Sequence, residues 1–282
     1  MVAVLALFTS LLWGTADYFG GVMAKKRKII GVVGVSQALG LCFILIFVAG
    51  AGEWHKKLLG WHGYGIYGIA AGYLGFLALV TFYAALASGT MGIVSPIASL
   101  GVIVPIAVSL ARGERPSALQ LAGICIAILG VVAASGPELT GAAGLKSVLL
   151  AVVAGIGFGT ALIFMQLGSR ESPLMTMVTM RFSTTLTLFA VLIFRRKSVD
   201  VKMVDLPLLA LIGIFDVSAN TLLGIASTRG MFSIVVVLGS LYPMMTILLA
   251  AKFQHERLVK IQYAGIVFAL LGVSLIGIGS GA

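Results

Sequence analysis

Ten apolar segments of about twenty residues each account for most of the chain, at roughly 2–24, 29–51, 64–87, 90–111, 117–135, 145–168, 174–194, 206–227, 231–251 and 260–279. A helix needs ~20 apolar residues to cross the hydrocarbon core of a bilayer. Only backbone that satisfies its own hydrogen bonds is stable there, so each segment predicts a transmembrane helix. Barrel strands would alternate apolar and polar residues over ~10 positions, whereas these segments are apolar on every side. The breaks are a few residues long, apart from 52–63, 136–144 and 195–205, so no stretch is long enough for a domain outside the membrane. Composition agrees: 60% of the 282 residues are hydrophobic, 10% are charged, and the mean hydropathy is +1.14. A soluble domain is ~25% charged. The sequence therefore predicts an all-α integral membrane fold with ten transmembrane helices, partnered by the lipid bilayer.

The net charge of +10 would suggest nucleic acid on a soluble protein. Here the cations form short runs at segment ends, at 25–28, 56–57 and 195–197, where they anchor helices at anionic headgroups. No nucleic-acid partner is expected. Residues 1–24 carry no cation ahead of an apolar core, so they read as a retained first helix rather than a secretory leader. Cys42 and Cys125 lie alone in apolar segments, without metal-ligand spacing. No metal or cofactor is expected.

The chain repeats itself. "WGTA" at 13–16 meets "FGTA" at 158–161, an offset of 145. "GERPSALQLAGICIAILGV" at 113–131 meets "HERLVKIQYAGIVFALLGV" at 255–273, an offset of 142. Gly89, Ser99 and Leu100 meet Gly230, Ser240 and Leu241 at an offset of 141, half the chain. This divides the protein into repeats of five helices, at 1–140 and 141–282. Because five is odd, the second repeat enters the membrane from the opposite side. The two halves are then inverted repeats, an architecture that lets related bundles rock around a midplane site.

Ionisable residues inside spans are costly and usually face a cavity or a partner. Three stand out. Asp17 shares a helix face with Ser10, Gly14 and Gly21, with Trp13 at its border. Asp216 shares a stripe with Gly213, Asn220, Gly224 and Ser227. Such stripes line either water or a neighbouring helix, and both readings stand for each aspartate. Arg181 lies about 10 Å into the seventh helix at ~1.5 Å per residue. It either snorkels to the headgroups or points inward with Thr184 and Thr185. If inward, it should reach Asp216, near the midplane, within ion-pair or one-water distance, rather than Asp17. Among aromatic side chains, Tyr73, Tyr83, Phe158 and Tyr242 are candidates for a cavity wall. Pro96, Pro105 and Pro243 permit kinks. "GIGFG" at 155–159 predicts a flexible or close-packed segment. The glycines at 123 and 130, and at 265, 272 and 279, predict close helix packing, with a weak dimer contact as the lesser reading. A monomer or weak homodimer is expected.

"LLWGTADYF", "YAALASGTMGIVSPIASLGVIVPI" and "GERPSALQLAGICIAILGVV" resemble the EamA type of the drug/metabolite transporter superfamily, and "GIASTRGMFSIVVVLGSLYPMM" and "ERLVKIQYAGIVFALLGV" repeat the likeness in the second half. The resemblance implies ten helices with both termini in the cytoplasm, in the plasma (inner) membrane. It implies a central cavity lined mainly by helices 1, 3, 4, 6, 8 and 9, with helices 5 and 10 peripheral. It implies export of amino acids or related metabolites. In the small four-helix multidrug relatives, a first-helix carboxylate that handles protons or cationic substrates lies eight residues before a lysine, and Asp17 and Lys25 have that spacing. Loop charges favour the reverse orientation: with both termini inside, six cations face inward and twelve outward.

Other functions fit less well. The contexts "TADYF" and "GIFDVSAN" lack intramembrane aspartyl-protease motifs, and His55, His62 and His255 sit at segment ends without a serine motif. No phosphate-cradling P-loop is present, so the chain carries no site for ATP drive. A non-transporting scaffold leaves the duplication unexplained. The reading is a secondary or facilitative carrier, most plainly an exporter of small organic metabolites by alternating access, with an uptake carrier of the same fold as the alternative. The expected substrate contacts are Trp13, Asp17, Tyr83, Ser99, Arg181, Asp216, Asn220 and Tyr242, with Asp17 taking a proton or a substrate ammonium.

Overall fold

A computed structural model describes residues 1–54, 58, 63–89, 91–134, 144–195, 199–253 and 259–279. Every regular element among them is helical. The helices are α1 (Val2–Ala24), α2 (Ile29–Ala51), α3 (Tyr64–Ser88), α4 (Met91–Ser99), α5 (Ile103–Ala111), α6 (Ala118–Ala134), α7 (Leu145–Ser169), α8 (Pro173–Arg195), α9 (Leu206–Ser227), α10 (Phe232–Gly239), α11 (Tyr242–Phe253) and α12 (Lys260–Gly279). They make ten spans, because α4 and α5 form the fourth and α10 and α11 the ninth. Among the described residues, nine spans are long and apolar enough to cross a membrane, and the described part of the remaining one is Ala118–Ala134. The His55, His62 and His255 positions, several loop cations and the 140/141 boundary lie outside the described residues.

The two breaks have a common cause. Proline has no N–H and frees the carbonyl four residues earlier. Span four turns through a 3-10 segment, Leu100–Val102, between Pro96 and Pro105. Span nine breaks between Gly239 and Tyr242, just before Pro243. The two breaks are related by the offset of 141 seen in the sequence.

The helices do not pack by sequence half. One group joins α1 and α2 to α9 and to α10/α11; the other joins α3 and α4/α5 to α7 and α8. Each group mixes spans from both halves, so the units that face each other across the centre are interleaved. Hydrogen bonds between spans hold each group together. Thr9 Oγ1 donates to the Ala219 carbonyl at 3.1 Å and Thr246 Oγ1 to that of Gly14 at 3.2 Å in the first group. Thr184 Oγ1 donates to the Gly72 carbonyl at 3.1 Å in the second.

Close approaches follow the same exchange. A Cβ on Gly14 would strike the Tyr242 carbonyl oxygen, and one on Gly159 would strike that of Gly101. The first pair becomes the second at offsets of 145 and 141. The "GIGFG" stretch is therefore close-packed, against the break in span four. Helices α6 and α12 pack chiefly on each other, and α6 also touches α4, α10 and α11. A Cβ on Gly130 would meet the Ala269 backbone, and one on Gly272 that of Ala127. These glycine seams serve packing within the chain.

At one membrane face, Arg27 Nε donates to Asp205 Oδ2 at 2.8 Å, tying the α1–α2 turn to the start of α9. The cation run at 25–28 is thus more than a headgroup anchor. Near the other end of the spans, Glu114 leaves the α5–α6 loop and caps α10. Its Oε1 accepts from Phe232 N at 2.8 Å, and its Oε2 accepts from Ser233 N at 3.0 Å and Ser233 Oγ at 2.6 Å.

Candidate functional site

Between the two groups lies a cavity lined mainly by apolar side chains with a few polar ones among them. Its wall includes Trp13, Asp17, Ser99, Arg181, Asp216, Asn220 and Tyr242, seven of the eight side chains expected from the sequence. Phe158 and Leu162 also line it.

Arg181 points inward and is 3% exposed, so it does not snorkel. Its Nη1 lies 3.0 Å from Asp216 Oδ2, the approach anticipated from the sequence. The same nitrogen donates to Gln37 Oε1. Gln37 Nε2 in turn donates to Asp216 Oδ2 at 2.7 Å. Asn220, one turn along α9, donates through Nδ2 to Asp216 Oδ1 at 3.0 Å and to the Asp216 carbonyl at 2.7 Å. Both carboxylate oxygens of Asp216 are thus occupied, and the pair is held by amides that orient it. Arg181 belongs to one packing group, while Gln37, Asp216 and Asn220 belong to the other. The network is therefore a latch across the seam.

A second bond crosses the seam. Tyr242 Oη donates to the Ser95 carbonyl at 3.3 Å. The Tyr242 ring meets Trp13 edge-on, with centroids 6.3 Å apart. Ser99 donates to the Pro96 carbonyl at 2.8 Å, which leaves its oxygen able to accept. Asp17 lies on the wall, within electrostatic reach of Asp216.

Two aromatic expectations fail. Tyr83 is absent from the wall. It is buried in α3, where its hydroxyl fills the place a Cβ would take on Gly20 of α1. The missing side chain at Gly20 draws the ring into a helix contact rather than the cavity. Tyr73 is 50% exposed on the outer surface. Gln37 was missed, although its amide in an otherwise apolar span was a visible signal. With Arg181, it adds spans two and seven to the wall, beyond the six spans that the resemblance implied.

The wall also carries the internal repeat. At offsets of 141, Gly75 pairs with Asp216, Leu79 with Asn220, Ser99 with Ser240, and Gly101 with Tyr242. At 145, Trp13 pairs with Phe158 and Asp17 with Leu162. Gln37 and Arg181, 144 apart, bond directly to each other. All these residues line the cavity.

The EamA-like transporter family matches residues 1–136 and again 145–278. The chain belongs to that family. It is a multi-pass membrane transporter, and the ten-helix integral membrane architecture agrees. Among solved structures, one crystal structure matches with a TM-score of 0.77 at 16% identity, covering 98% of this chain and 96% of its own. That likeness shows the fold. No curated protein sequence matches.

Proposed function

We propose that this EamA-like transporter is a secondary or facilitative carrier that exports a small organic metabolite by alternating access. One observation carries the reading. A cavity holding an aspartate, an ion pair and two aromatic rings in edge contact lies on the seam between two packing groups related by an internal repeat. Motion at that seam would expose one site to either face in turn.

In this reading Trp13 and Tyr242 hold the apolar body of the substrate. Arg181, Asp216 and Asn220 fix its polar end, with Ser99 as an acceptor. Asp17 takes a proton or a substrate ammonium. Both termini lie in the cytoplasm, and the chain works in the plasma (inner) membrane as a monomer or weak homodimer.

The test compares small molecules in the medium of cells producing the wild type or Asp17→Asn. Export predicts a compound class that accumulates outside with the wild type, at least tenfold less with the variant, and with a flattened pH dependence. Equal flux at every pH would remove the coupling role of Asp17. If no compound differs, uptake into vesicles of known orientation separates an inward carrier from a chain that moves nothing.

A further inference from the structure

The guanidinium of Arg181 is only partly used. Nη1 serves Gln37 and Asp216. Nε and Nη2 are buried and have no acceptor among the described residues. A buried donor without an acceptor loses its hydration and gains nothing in return. Asp216 cannot serve these two atoms without leaving donors it already holds, since Asn220 occupies Oδ1 and Gln37 and Arg181 share Oδ2. Yet Arg181 lines the cavity.

Nε and Nη2 form one edge of a planar fork, and that edge matches the two oxygens of a carboxylate. We infer that the substrate carries a carboxylate and seats it bidentately on the Nε–Nη2 edge of Arg181. This deepens the carrier reading and rests on it.

Charge favours a carboxylate over a phosphate. Asp216 already balances Arg181. Asp17 adds a second carboxyl group, and among the described residues no other cation lines the cavity. A dianion would leave the site strongly negative. A monoanion needs one positive charge in return, which a proton on Asp17 or an ammonium on the substrate supplies. The edge is shut to water in this conformation. Arg181 and its acceptors sit on opposite packing groups, so movement at the seam is what uncovers it.

The test measures binding to the full-length protein in detergent by calorimetry. The probes are hexanoate, 3-phenylpropionate and L-phenylalanine, each beside its primary amide. At least one acid should bind wild type tenfold or more tightly than its amide. Arg181→Lys keeps the charge opposite Asp216 but has no second edge. It should fold and lose the preference for the acid. Amides that bind as well as acids, no binding by any acid, or an Arg181→Lys protein that still discriminates would each overturn the inference. Should Arg181→Lys fail to fold, the wild-type comparison decides alone. A compound that vesicles transport but that has no carboxylate would overturn this inference and leave the carrier reading standing. Vesicles that transport nothing would remove the carrier reading itself.

Discussion

The latch between Arg181 and Asp216 should show as a coupling energy. Asp216 receives bonds of 2.7 Å from Gln37 and 3.0 Å from Arg181 and Asn220. Asp216→Leu would strand the Arg181 charge, whose side chain is 4% exposed. Removing one partner of a buried pair costs about 3–5 kcal/mol. Because the Asp216 side chain keeps 16% exposure, the lower end of that range, about 3 kcal/mol, is expected. Arg181→Met leaves Asp216 with its two amide donors and should lose about 2 kcal/mol, one charged hydrogen bond. Removing both charges leaves no stranded ion, so the double variant should lose only about 1–2 kcal/mol. The cycle then predicts a coupling near 3 kcal/mol, far above the ~0.5 kcal/mol scatter of independent sites. The assay is reversible unfolding of the four proteins in mixed micelles, followed by helix content. Losses that add to within ~0.5 kcal/mol would refute the latch.

Two further outcomes follow from the packing. Gly20→Ala should destabilise the protein by about 1–3 kcal/mol through overpacking against the hydroxyl and ring edge of Tyr83, read as a lower midpoint in a thermal melt. Glu114→Ala should remove the cap on α10 and cost about 1 kcal/mol, with faster hydrogen exchange in a peptide containing Phe232 and Ser233 than in one from α9.

The spans were legible because length and hydropathy suffice to define a crossing. Polar breaks such as Lys25–Lys28 then set the ends within a few residues. Pro96, Pro105 and Pro243 marked both broken spans, since a missing N–H acts locally. The ion pair was legible because two rare charges at compatible depths have few other partners. What hydropathy does not contain is which helix neighbours which. The interleaving of the halves was therefore hidden, and with it the role of Gln37, which emerges only once α2 lies against α8. Tyr83, Tyr73 and Tyr242 look alike in a sequence. A glycine on a facing helix, the outer surface and the cavity claim one each.

The paired lining has an energetic consequence. Under the alternating access proposed above, identical residues in every pair would make the forms open to either face degenerate, and the empty protein would divide its time equally between them. Asp216 opposite Gly75, Asp17 opposite Leu162 and Arg181 opposite Gln37 lift that degeneracy. A gap of only 1.4 kcal/mol shifts the balance tenfold. On that reading the resting bias of the empty protein is written in the wall pairs where the duplicated halves have diverged, and changing one of them resets that bias while the duplicated frame stays the same.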